Sequence, residues 1–121
     1  MDISRLRQKV YYLDRERKKL QDFLLGPQEM IYGSFYEFYR RCGNPTCHCM
    51  RGKRHLAKCL STNEGGKTKL IYVRNKDVLW VRKQADNYRR YQKAMAGVRK
   101  INNEIFETVK KIRDSKLKKY I

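Results

Sequence analysis

The residues whose chemistry stands out lie in one short stretch. RRCGNPTCHCMRGKRHLAKC, residues 40 to 59, holds all four cysteines and both histidines of the chain. Cys42, Cys47 and Cys49 are spaced C-x4-C-x-C, with Gly43, Asn44 and Pro45 in the first gap. Gly and Pro in a tight knuckle let the backbone and thiolates fold around one point. His55 follows six residues after Cys49, and Cys59 ten. Zinc takes four N or S ligands in a tetrahedron, and structural sites close all four positions. Three thiolates and one imidazole meet that demand. His55, Cys59 and His48 compete for the fourth place. His48 lies between two expected ligands and should project away. Cys59, if it falls in the next strand, is equally a small buried residue. The expected set is Cys42, Cys47, Cys49 and His55, with Cys59 kept open, around one structural Zn2+.

Other uses of these cysteines fit less well. The N-terminal sequence MDISRLRQKV is polar and has no hydrophobic signal core, so the expected compartment is a reducing cytoplasm. There, clustered cysteines read as metal ligands rather than disulfides. A catalytic cysteine wants one nucleophile with an oriented base, not four thiols together. A catalytic zinc keeps one position open, usually with a carboxylate nearby. No Asp or Glu lies between Glu37 and Glu64. The chain is therefore not expected to be an enzyme.

Charge points to the partner. The 121 residues include 30 Lys and Arg against 12 Asp and Glu, a formal net charge of +18. A field of that sign steers polyanions and releases condensed counterions on binding, so nucleic acid, RNA or DNA, is the expected partner. No apolar run is long enough to span a bilayer, and no membrane is expected. Arg40, Arg41, Arg51, Lys53, Arg54 and Lys58 crowd the cysteines, where a metal would hold them in place. Their other reading is local neutralisation of thiolate charge. Arg82, Lys83, Arg89, Arg90 and Lys93 form a second basic group, interleaved with Tyr88 and Tyr91. These tyrosines read as stacking groups for bases or as the rim of a core. No recognition-helix motif and no C-x2-C finger spacing occurs, so backbone and shape recognition is expected rather than base readout. The rival expectation is a coiled-coil adaptor that binds an acidic partner protein or forms a homodimer.

The elements that must position these residues follow from periodicity. Ile3, Leu6, Val10, Leu13, Leu20 and Leu24 fall at 3- and 4-residue steps, with Arg17 completing the seam. Gly26-Pro27 ends that helix. Residues 29 to 40, rich in aromatic and β-branched types, read as a strand bent at Gly33. LAKCLST and KTKLIYVR flank NEGG and read as a hairpin. Residues 76 to about 115 read as one helix of roughly 60 Å, capped by Asn75. It carries two apolar stripes: Val78, Val81, Ala85 and Tyr88, then Val98, Ile101, Ile105, Val109 and Ile112. The expected fold is α+β. A small antiparallel sheet with a zinc knuckle is flanked by an N-terminal helix and a long C-terminal helix, which can pair as a coiled coil. The expected divisions are 1–25, 26–75 and 76–121.

The run GSFYEFYRRCGNPTCHC, a basic stretch with His55, then GGKTKLIYV and a helix with NYRRY resembles a family of small, largely uncharacterised prokaryotic proteins. The resemblance covers about residues 31 to 92. It implies that Cys42, Cys47, Cys49 and His55 are the ligand positions. It also implies a setting beside transposases and other mobile elements, and the expected larger protein partner is one such as a transposase or nuclease. After the histidine, similar proteins tend to have Gly-Pro-Tyr where this chain has Leu56-Ala57-Lys58, which keeps Cys59 in play.

Overall fold

The computed structural model describes residues 2–121. Helix α1 spans Ile3–Leu24, strand β1 Ser34–Arg40, β2 His55–Glu64 and β3 Lys67–Tyr72, and helix α2 Val78–Lys116. The strands form one antiparallel sheet in the order β1-β2-β3. The expected α+β fold, with its two flanking helices, is what the chain adopts. By packing it divides into two units: residues 28–89, which hold the sheet and the start of α2, and residues 1–27 with 90–121.

In the helical unit, Asp2 caps α1 by accepting from the Ser4 N–H at 3.0 Å. Leu6 and Leu13 are its buried residues. The rest of α2 runs antiparallel to it. Phe23 meets Tyr91 at 6.4 Å between ring centroids, and Arg17 Nη1 donates to Asn102 Oδ1 at 2.9 Å. The polar seam position is thus answered by an amide on the facing helix. Ala94 and Thr108 are the buried residues of α2 in this unit. Thr108, not the neighbouring Val109, fills the seam, because its hydroxyl is satisfied internally by the Glu104 carbonyl at 2.8 Å. Gly97 lets the helices approach closely, since a Cβ there would lie 2.9 Å from Leu20 Cδ1.

In the sheet unit, β1 begins later than the aromatic run predicts. Residues 29 to 33 hold onto the helix instead. The Ile31 N–H donates to the Gln84 carbonyl at 3.1 Å, and Asn87 Nδ2 donates to the Glu29 carbonyl at 3.1 Å. Gly33 then turns the chain into the sheet at φ +122°. The hairpin closes through Gly65 and Gly66, both at positive φ, the conformation that a two-residue antiparallel turn requires. Leu60, Val81 and Ala85 form the core, with Ile31, Phe35 and Val73 packed against it. Asn75 does not cap α2. A 3-10 turn over Asn75–Asp77 leads into the helix instead.

Candidate metal centre

The donor residues lie in the connection between β1 and β2. The last register pair of those strands is Arg40 with His55, so the sheet itself brings the two ends of the loop together. Cys42 follows β1 by two residues, and His55 opens β2. The knuckle between them is built by Asn44. Its Oδ1 accepts from the Thr46 N–H at 3.1 Å and the Thr46 hydroxyl at 2.8 Å. Its carbonyl accepts from the Cys47 N–H at 3.0 Å. A 3-10 turn over His48–Met50 then carries Cys49 inward, where it is fully buried. Arg41 Nη1 donates to the Met50 carbonyl at 3.1 Å and ties the start of the loop to that turn.

One donor atom from each of Cys42, Cys47, Cys49 and His55 lies within 4.8 Å of every other. Cys42 Sγ and Cys49 Sγ are 3.6 Å apart, and Cys47 Sγ is 3.1 Å from His55 Nε2. A tetrahedron with metal–sulfur bonds of about 2.3 Å has edges of about 3.8 Å. The set fits a single tetrahedral cation, and the four residues form a candidate metal site. His55 presents Nε2 to it.

The electrostatics of the cluster agree. The Asn44 backbone N–H, and then the Cys47 and Cys49 thiols, hold the Cys42 thiol below its usual value. At Cys47 the Cys49 backbone N–H acts in the same direction. The neighbouring Cys49 and Cys42 sulfurs, together with burial, outweigh it and push the thiol up. The surroundings thus favour a thiolate at Cys42 and disfavour one at Cys47. A divalent cation held by these residues would remove that conflict, because a coordinating thiol is deprotonated outright.

The two spare donors fall outside this set. Cys59 is in the middle of β2, paired with Tyr36 on one side and Tyr72 on the other, and is fully buried. Burial pushes its thiol up, with a smaller opposing pull from Arg40. His48 is exposed on the 3-10 turn, its Nδ1 3.9 Å from Cys47 Sγ. Its ring meets that of His55 edge-on at 5.3 Å.

The basic residues are placed unevenly. Arg51, Lys53 and Arg54 are exposed in the donor loop. Arg40 lies over the Tyr72 ring, 5.1 Å from its centroid, and donates to the Tyr72 hydroxyl. Lys58 is half-buried. On α2, Arg82 is paired with Glu37 and lies over Phe35. Arg89 is paired with Asp86 at 2.8 Å, and Lys83 is exposed. Arg90 and Lys93 belong to the helical unit, where Arg90 lies over Phe23. Tyr88 meets Tyr32 at 5.6 Å and Tyr91 meets Phe23, so both tyrosines act in packing. The sequence reading passed over Asn44 as a knuckle organiser, although an Asn-Pro pair is a known turn initiator.

Among the described residues, no helix is long and apolar enough to cross a membrane. No curated protein and no solved structure matches the chain. A family match does exist, and it takes in most of α1, the whole sheet and the Cys/His cluster. It runs over residues 5–83, and the family it identifies is described as a domain of unknown function, DUF6788, to which the chain therefore belongs.

Proposed function

We propose that this chain is a non-enzymatic, zinc-stabilised nucleic-acid-binding protein. It engages RNA or DNA through the phosphate backbone and shape, as an accessory of a larger nucleoprotein or mobile-element machine. The observation that carries this reading is the donor loop. Arg51, Lys53 and Arg54 are exposed between Cys49 and His55, two of the four clustered donors. No carboxylate occurs anywhere from Phe38 to Asn63 to neutralise them. One structural Zn2+ held by Cys42, Cys47, Cys49 and His55 fixes both ends of that basic segment, so its guanidinium and ammonium groups meet phosphate with less ordering to do. The groove of the sheet unit beside β1 supports a binding role over catalysis. Its carboxylates, Glu37 and Asp86, are each tied to an arginine.

The test is a binding titration against salt. Each phosphate contact on duplex DNA contributes about 0.9 to the slope of log affinity on log salt. Replacing Arg51, Lys53 and Arg54 by Ala should lower the slope by roughly 2.7 if all three contact phosphate. Absence of binding near physiological salt, with a stable acidic protein recovered on the purified chain, would favour the adaptor reading instead. That rival draws on the exposed Phe106 and Val109 of the helical unit.

A further inference from the structure

The sheet has a side that α2 does not cover. Residues paired directly across an antiparallel ladder project to the same side, and the side alternates along each strand. Phe35 and Leu60 are paired and belong to the core with Val81 and Ala85, so theirs is the helix side. Tyr36, Cys59 and Tyr72 form the next row across all three strands and project to the other side. So do Phe38 with Ala57, and Arg40 with His55. On this side the tyrosines of the two outer strands are open, Tyr36 40% and Tyr72 55% exposed, while Cys59 between them is fully buried. Tyr36 and Phe38 lie 5.9 Å apart and tilted by only 33°.

Among the described residues, no strand carboxylate falls on this side. Glu37 and Glu64, the carboxylates of the strands, both fall on the helix side by register. At one end of the open face stands Arg40, its guanidinium over the Tyr72 ring. The basic donor loop starts there. An open cleft of 270 Å³, lined in part by Arg40, Cys42, His55 and Tyr72, joins the aromatic row to the Cys/His cluster. Exposed rings beside fixed cations, with no acid between them, match the two recurring parts of a strand whose bases are unpaired. Flat faces stack on aromatic rings or guanidinium planes, and phosphates follow the positive groove. A duplex keeps its bases stacked inside and cannot use the rings. A second copy of this chain would bring like charge against like charge at Arg40 and the loop.

We infer that the open face of the sheet is a stacking platform for single-stranded nucleic acid. Tyr36 and the Tyr72–Arg40 pair receive successive bases, and the donor loop takes the adjoining phosphates. This rests on the nucleic-acid reading above and narrows it to unpaired strands.

The test uses the full zinc-loaded chain and fluorescence anisotropy with labelled oligonucleotides of about 12 nucleotides, within the span such surfaces cover. The probes are mixed-sequence single-stranded RNA and DNA, an abasic backbone of equal length, and a blunt duplex. Tyr36→Ala and Tyr72→Ala should each weaken single-strand binding by about tenfold, with the salt slope unchanged. Tyr36→Phe and Tyr72→Phe keep the π-face and should stay within about twofold of the parent. Zinc content and circular dichroism of each variant report on folding. RNA and DNA arms that differ identify which strand is preferred, and either supports the inference. Abasic backbone or duplex bound as tightly as the single strand overturns it and leaves the charge-based reading standing. So does a dimer that Tyr→Ala dissolves while oligonucleotide binding is unchanged. If no probe binds, the nucleic-acid reading falls and this inference with it.

Discussion

Removing the imidazole of His55 should weaken metal retention, and removing the thiol of Cys59 should leave it nearly unchanged. His55 Nε2 lies 3.1 Å from Cys47 Sγ and within the 4.8 Å cluster, whereas Cys59 sits outside it and is fully buried in β2. Structural zinc sites of this donor type bind with roughly 10–16 kcal/mol of apparent free energy. Assigning one ligand a quarter of the lower bound gives about 2.5 kcal/mol, or roughly seventyfold weaker binding for His55→Ala. Cys59→Ala removes one sulfur from the sheet and should leave zinc affinity within about twofold, at a stability cost on the order of 1 kcal/mol. Competition with a chromogenic chelator measures both affinities, and native mass spectrometry should count one zinc per parent chain. Thiol alkylation supplies a second arm. With zinc bound, Cys42, Cys47 and Cys49 are coordinated, and Cys59 is both buried and pushed toward the neutral thiol, so its reactive thiolate is scarce at pH 7–8. All four should resist iodoacetamide until a chelator is added, and Cys42 should then react first, since it is exposed and its thiol is lowered. Equal zinc loss in the two variants, or a chain that folds with the same Tm after exhaustive chelation, would refute the four-donor assignment.

Two further perturbations probe the sheet that carries the cluster. Gly33→Ala places a Cβ 2.8 Å from the Ser61 carbonyl oxygen at φ +122°. Backbone strain and that clash together should cost about 3 kcal/mol and lower Tm by at least about 10 °C in thermal unfolding; a change under about 2 °C would mean that the turn is not built this way. Thr62 is buried, and its hydroxyl has no hydrogen-bond partner among the described residues. Thr62→Val should therefore stabilise the fold by about 1 kcal/mol, read as a higher urea midpoint at unchanged m-value, and a lower midpoint would contradict it.

Much of the architecture was legible because it rests on local signals. The 3- and 4-residue apolar steps place α1 at Ile3–Leu24, and Gly65-Gly66 mark the hairpin, since only glycine takes both positive φ values readily. The features that were not legible depend on tertiary partners. The aromatic run suggests a strand from residue 29, but Ile31 spends its N–H on Gln84, more than fifty residues along the chain. Val109 has the hydrophobicity for the helical seam, and Thr108 has the position. The back-bond to Glu104 lets a polar side chain serve there, which an apolar pattern cannot reveal. The donors Cys42, Cys47, Cys49 and His55 come together as their spacing proposed, yet the exclusion of Cys59 is a matter of register. Only the pairing of Cys59 with Tyr36 and Tyr72 takes it into the sheet. The open aromatic side was hidden for the same reason: which tyrosine faces which way is decided by one residue of strand register.

The arrangement also gives a metal, if the four clustered donors hold one, a structural role at this point of the fold. The buried hydrophobic residues of the sheet unit are few and mostly small, Cys49, Cys59, Leu60, Val78, Val81 and Ala85, and small units with so little buried apolar surface commonly need a further cross-link. The longest connection between elements is the one between β1 and β2, closed at its base by the Arg40–His55 pair. A cation bound to Cys42 and His55 would close that loop a second time, and Cys47 and Cys49 would pin its interior. Closing a loop of about 15 residues is worth on the order of 3 kcal/mol when the link restricts the unfolded chain. The same link would hold Arg51, Lys53 and Arg54 at the end of the open tyrosine face. On the proposed reading, stability and recognition therefore have one origin: the ion that completes a thin fold also fixes the distance between the cations and the stacking rings.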